Sequence, residues 1–364
     1  MPSGYLGALA RAALVLALLL ATSHPCRAQI PVELHANSVL YLDNSEFDGP
    51  FRSGETVPGS FQQLFVDIAP GRRTVVRFGV FAVERGGSSS PVDHVLPIVA
   101  LRWGNGRHRF VLGTIDSADR RHPRGPDRET PHGLLPPLAA ETRWVTHSYE
   151  AGAQWFVDTG RQQQDIWFDY QAANTREHRE KFDVGAVGRL HIAGPLAAGY
   201  QFHVVHHGGQ QFASGPVSDS VALGPGVLLE GRVGPIRSVS LEVYGLAAYD
   251  RPDRAVESAT VRGKAVFLRA SLQTRLWRAH LIAWRGDDFN HEDGDPNYLS
   301  RFPDGTRFAR VRDYSEAGLT RLFQLASAID FEGSLRLHHI ESRFAYSYRL
   351  VAIVHLTLWK TTIP

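Results

Sequence analysis

From residue 29 onward, polar and apolar residues alternate with a period of two, in runs too long for an ordinary soluble sheet. In 182–192, Phe182, Val184, Ala186, Leu190 and Ile192 share one face, and Asp183, Arg189 and His191 share the other. In 325–337, Leu325, Ile329, Phe331, Leu335 and Leu337 oppose Asp330, Glu332 and Arg336. In 346–358, Tyr346, Tyr348, Leu350, Ala352, Val354, Leu356 and Leu358 align. Successive side chains of a strand point to opposite faces, so each run reads as a strand wet on one side only. Soluble strands average about 5–6 residues, whereas a tilted strand needs about 9–11 to cross a membrane, and these runs have the second length.

Turn signals divide the chain into about sixteen such strands, near 32–43, 61–69, 73–83, 95–103, 108–116, 147–158, 163–171, 182–193, 198–208, 221–233, 238–249, 263–274, 279–286, 310–321, 325–337 and 346–359. The connections alternate in length. Short ones include Pro70-Gly71-Arg72, the Asn105-Gly106 turn and Leu322 to Gln324; long ones run 44–60, 84–94, 117–146, 172–181, 209–220, 250–262, 287–309 and 338–345. This pattern predicts a transmembrane antiparallel β-barrel with short periplasmic turns and long extracellular loops. A soluble sandwich or β-helix would need neither the long strands nor the alternating loops.

Composition narrows the choice. The chain is 43% hydrophobic and 21% charged, which excludes a disordered or low-complexity protein. Lys plus Arg number 39 against 37 acids, too even a balance for a nucleic-acid partner. Cys26 is the single cysteine, so neither an internal disulfide nor a thiolate zinc cluster can form. Arg11, the apolar run 12–21 and the small-residue end at Ala28 read as a signal peptide, residues 1–28, cleaved after Ala28. Residues 29–364 then form a single outer-membrane barrel domain, with lipid around it.

The tryptophans are the expected interfacial girdle: Trp103 and Trp155 precede short turns, Trp167 follows one, Trp277 lies in one and Trp359 ends the last strand. Taken together, the leader, the strand and loop alternation and the final segment Tyr346 to Trp359 resemble Gram-negative outer-membrane porin-like β-barrels. Shorter runs, Asp43-Asn44-Ser45-Glu46-Phe47, Gly113-Thr114-Ile115-Asp116, Glu150 to Phe156 and Asp165 to Tyr170, resemble an uncharacterised porin-like family. The resemblance implies insertion by the barrel assembly machinery, which commonly reads a terminal aromatic residue. Here Trp359 is followed by Lys360-Thr361-Thr362-Ile363-Pro364, a departure from that pattern.

If the apolar face meets lipid, the other face lines the interior. It carries Arg77, Glu150, Asp165, Asp169, Asp183, Arg189, His203, Glu230, Arg232, Glu242, Arg269, Arg312, Glu316, Asp330, Glu332, Arg336 and Arg349. A barrel of about sixteen strands is wide enough for an aqueous channel in which such groups stay hydrated. The bland alternative is that they pair across strands and stiffen the wall. Loop 117–146 is the longest, and such a loop can fold inward and narrow a pore. Loop 287–309 opens with the oxygen-rich run 287–295 but lacks the closing glutamate of a calcium loop, so no metal ion is expected. His206-His207, His338-His339 and Asp93-His94 could supply a base, but neighbours on a strand point apart, and no Gly-x-Ser-x-Gly or His-Glu-x-x-His motif is present. The expectation is a passive channel for small hydrophilic solutes, without cofactor or enzymatic activity. An export or scaffold barrel for a surface polysaccharide or partner protein is the alternative, and an outer-membrane hydrolase a more distant one.

Overall fold

A computed structural model describes residues 29–363 except 91, 116–129, 235, 303, 304, 306 and 307. The proposed leader, and the Asp119–Arg124 part of the longest loop, lie outside the described residues. Sixteen strands follow in chain order: β1 (Ile30–Gly49), β2 (Arg52–Gly71), β3 (Thr74–Arg85), β4 (His94–Gly104), β5 (His108–Thr114), β6 (Ala151–Asp158), β7 (Gln162–Ala172), β8 (Lys181–Ala193), β9 (Leu196–His207), β10 (Ser218–Val233), β11 (Ile236–Arg251), β12 (Val261–Gln273), β13 (Trp277–Asp287), β14 (Val311–Ala326), β15 (Ile329–Ile340) and β16 (Arg343–Ile363). Each pairs antiparallel with its sequence neighbours, and β1 closes on β16, so the sheet has no free edge. The closed antiparallel barrel expected from the alternation is therefore observed.

Boundaries moved where hairpins are taller than the pattern suggested. The region 44–60 is mostly paired strand, with only Pro50 and Phe51 between β1 and β2. Residues 338–345 likewise shrink to a two-residue connection. The turn expected at Leu322–Gln324 sits instead between Ala326 and Ile329, because Leu322 and Phe323 still pair with Glu332 and Phe331.

The outer face is apolar and exposed, with Leu40, Leu64, Val80, Leu112, Leu281, Leu337 and Leu350 on it. The core is inside the barrel. Leu134, Leu135, Leu138 and Ala139 pack with Phe289 and Tyr298 against Trp167, Tyr244, Phe267, Trp284 and Tyr314. Trp144 and Val145 pack against Val39, Tyr41, Phe61, Phe81, Ile98, Val351 and Ile353. Two inner segments, 130–147 between β5 and β6 and 288–301 between β13 and β14, therefore occupy the interior. They also hold each other, through Ala140 N–H to the Asp293 carbonyl at 2.7 Å and Asp295 N–H to the Pro136 carbonyl at 2.9 Å. The first was the loop singled out by its length; the second, part of the oxygen-rich loop 287–309, is largely buried because its Phe289 and Tyr298 supply apolar surface to the core.

The tryptophan girdle needs one correction. Trp103 and Trp359 are about half exposed on the outer face, at 51% and 53%. Trp167 is only 2% exposed and points inward with Asp165 and Asp169, because distance from a turn does not fix which face a residue occupies. Gly185 on the adjacent strand makes room for it: a Cβ there would come within 1.9 Å of the Trp167 ring.

Leu350→Arg places a charge on the outer face. At bilayer mid-depth this costs about 2–4 kcal/mol, less near the interface. The yield of heat-modifiable, folded barrel after refolding into detergent or lipid is expected to fall, and an unchanged yield would show that Leu350 does not face lipid.

Candidate functional site

Cross-strand register decides what the inward charges do. Arg349 lies opposite Asp43 and donates through Nε at 2.8 Å, Arg77 lies opposite Asp67 and grips both its oxygens, and Arg269 lies opposite Glu242 at 2.8 Å. Arg189 pairs with Glu230, and Arg278 approaches Glu332 at 3.4 Å. Arg312 is fully buried: its Nε donates to the Leu299 carbonyl at 2.9 Å, and its guanidinium lies 4.2 Å from the Phe51 ring centroid. Arg232 and Asp330 are exposed near the turn end of the barrel. Instead of a hydrated ladder, most of these groups form closely paired, buried contacts, because the inner segments displace the solvent that a wide barrel would otherwise hold.

Three constellations emerge. In the first, His132 sits on the inner segment between two carboxylates, Nε2 at 2.6 Å from Glu150 and Nδ1 at 2.8 Å from Asp165, with its ring stacked on Trp167 at 3.9 Å. Its backbone is left-handed, with φ of 56°, a strained state for a non-glycine residue that tertiary contacts must hold. Burial alone would lower the His132 pKa, but Glu150 and Asp165 outweigh it and hold it well above the usual imidazole value. Nearby, His147 Nε2 reaches Asp169 at 3.0 Å, and Asp169 also accepts from the Ala151 N–H at 2.7 Å.

The second joins Asp183 on β8, His203 on β9 and the inner segment 288–301. Trp167 Nε1 donates to Asp183 at 2.9 Å, and His203 Nδ1 shares a hydrogen bond of 2.8 Å with His291 Nε2.

The third has the geometry of a hydrolytic centre. Ser347 Oγ on β16 lies 2.8 Å from His338 Nε2 on β15. His338 Nδ1 lies 2.8 Å from the Tyr314 hydroxyl and 3.4 Å from Glu316 Oε2, both on β14, and Tyr314 donates to Glu316. Glu316 lies directly opposite His338 in the β14/β15 register and Ser347 directly opposite Arg336 in the β15/β16 register, so three adjacent strands contribute one contiguous inward row. His280 Nε2 braces Glu316 at 2.7 Å, and Gly318, opposite His280, leaves space for that ring. A nucleophile, a base in contact with it and acid and phenol groups orienting the base are the parts of a serine hydrolase. The row lines a polar cavity of ≈ 20 Å³, room for about one water, together with Asp43, Arg52, Glu141, Asn297 and Arg349. Arg336 pairs with Glu141, and Arg52 with Asp295 at 3.0 Å, so both inner segments wall the cavity.

Sequence reasoning placed Glu316, Arg336 and Arg349 on the inward face, and considered His338 only with its neighbour His339. It missed Ser347 and Tyr314. His339 lies against Phe344 with the ring centroids 4.7 Å apart, and the hydrogen-bond partners of His338 are instead on the flanking strands. The available signal was register: alternation puts Glu316, His338 and Ser347 all inward, and only pairing brings them together.

A family model described as Lipid A 3'-O-deacylase-type matches residues 26–358. That match overturns the expectation that the barrel is not an enzyme. No curated protein matches the chain. Among solved structures, a loop L8 deletion mutant of OmpT, an outer membrane protein of Vibrio cholerae, is similar with a TM-score of 0.53 and 9% identity, over 90% of this chain and 99% of that one. An anion-selective porin from Comamonas acidovorans is similar with a TM-score of 0.53 and 10% identity, over 90% of this chain and 100% of that one. At such identity these likenesses concern the fold, and they agree with an outer-membrane β-barrel. The family match spans nearly the whole barrel, all strands of the Ser347 row included, and this chain therefore belongs to the lipid A 3'-O-deacylase-type family.

Proposed function

We propose that this barrel is an outer-membrane esterase that removes a fatty-acyl chain from the 3' oxygen of lipid A, with Ser347 as nucleophile. The observation that carries the reading is the contact chain from Ser347 Oγ through His338 to Tyr314 and Glu316. His338 Nε2 takes the Ser347 proton as Oγ attacks the ester carbonyl, and returns it to the departing sugar oxygen. The acyl group is then on Ser347. Water, deprotonated by the same nitrogen, attacks the acyl-enzyme and releases the fatty acid. Glu316 and Tyr314 hold the imidazole in orientation and balance the charge it acquires.

Position supports the reading. Ser347 lies four residues into β16 from the end carrying the long connections, the end that faces outward if the short turns are periplasmic, and so the side of the lipid A leaflet. Free diffusion of solutes is disfavoured by the same structure, since buried residues of both inner segments fill the barrel's middle.

Expression of the protein in a Gram-negative host that lacks this activity, followed by mass spectrometry of extracted lipid A, tests the reading. A species lighter by one 3'-linked acyl chain is expected. Unaltered lipid A alongside correctly folded barrel in the outer membrane would refute it.

A further inference from the structure

We propose that Asp183, His203 and Asp293 form a binding site for one divalent transition-metal ion of the zinc class. One ligand atom from each lies within 4.8 Å of the others, and all three residues are buried. Asp183 and His203 come from adjacent strands of the wall, while Asp293 comes from the inner segment 288–301, so the donors converge from two directions. His203 Nε2 stands 3.8 Å from Asp183 Oδ2. An ion about 2.0–2.2 Å from each donor would set tetrahedral donors roughly 3.4 Å apart, so the His203–Asp183 pair needs to close by a few tenths of an ångström, and the widest pair, within 4.8 Å, by up to about 1.4 Å.

A second observation points to a ligand beyond Arg143, which already stands 3.7 Å from Asp183 Oδ2. Arg143 donates to Asp293 Oδ1 at 2.8 Å, whereas Asp293 Oδ2 is buried without a hydrogen-bond partner. A buried, unpaired carboxylate oxygen is costly, and metal coordination is one of the few ways to satisfy it. Asp183 is already oriented by Trp167 and by Gln171 Nε2 at 2.7 Å. His203 is supported in the way ligand histidines usually are: its Nδ1 meets His291 Nε2 at 2.8 Å, and with Nδ1 donating there, Nε2 is left as the ligand atom. One imidazole with two carboxylates suits zinc-class ions; calcium takes six to eight oxygens and magnesium a near-ideal octahedron of oxygen and water. The ion would tie segment 288–301 to β8 and β9, and that segment also supplies Asp295, Asn297 and Tyr298 to the Ser347 cavity.

The test uses the full chain folded in detergent, stripped with chelator and titrated with cobalt(II) by visible absorbance and with zinc by calorimetry. One equivalent is expected in the wild type, with affinity reduced at least 100-fold in Asp293→Asn and in His203→Gln, each checked for folding by heat modifiability. Should either fail to fold, His291→Ala replaces it, with a 10–100-fold loss expected from removing support for His203. Ser347→Ala is expected to bind like the wild type, which separates this inference from the proposed esterase activity. Absence of saturable uptake by the wild type, unchanged affinity in the ligand variants, or displacement of cobalt by equimolar calcium would overturn the site.

Discussion

Ser347→Ala is expected to reduce lipid A deacylation by at least about 10³-fold in kcat while leaving the barrel folded. In the proposed mechanism the substitution removes the atom that bonds to the acyl carbon, and His338 then has no proton to take. His338→Ala should fall by a similar factor, and the double variant should be little worse than either single one, because residues that act as a unit lose their effect together. Release of fatty acid from purified lipid A by the detergent-folded variants provides the measurement. Ser342→Ala, on the exposed connection between β15 and β16, should match the wild type. Wild-type rates in folded Ser347→Ala would show that another oxygen carries the reaction.

His132→Ala is expected to loosen the inner segment 130–147 by about 3–5 kcal/mol. It removes the group held between Glu150 and Asp165 and leaves two buried carboxylates side by side. Limited proteolysis and amide hydrogen exchange across 130–147 would report the change, with the strands themselves still protected. The wild type should show a related pH dependence. Because the folded His132 pKa is raised, its contribution is complete below the ordinary imidazole range near 6.5 and is lost as pH rises through the higher folded value. Exchange in this segment should therefore accelerate at alkaline pH in the wild type but show no such step in His132→Ala. A segment equally protected in both proteins at every pH would show that the histidine does not hold it.

The contrast between Arg349 and Leu350 shows how far a linear pattern reaches. Alternation alone puts them on opposite faces, and the structure agrees. Yet alternation cannot say whether Arg349 meets water or an acid. Its partner Asp43 lies at the other end of the chain, brought alongside only because β16 closes on β1. The same holds for Arg269 and Glu242, whose pairing depends on the β11/β12 register.

Length of strand, period of side chains and alternation of connections are local properties, each set by a few neighbouring residues, and they determined the barrel and its strand number from sequence. The interior did not follow from them. Whether 130–147 and 288–301 lie over the barrel mouth or inside it depends on burying Leu134, Leu138, Trp144, Phe289 and Tyr298 against residues from many strands at once. The Ser347 row is likewise non-local: Glu316, His338 and Ser347 sit in three strands whose spacing in sequence matches no motif. They meet because antiparallel pairing at a fixed register stacks inward side chains across adjacent strands. Sequence periodicity specifies which face a side chain takes; only closure and register decide which other side chains it faces there.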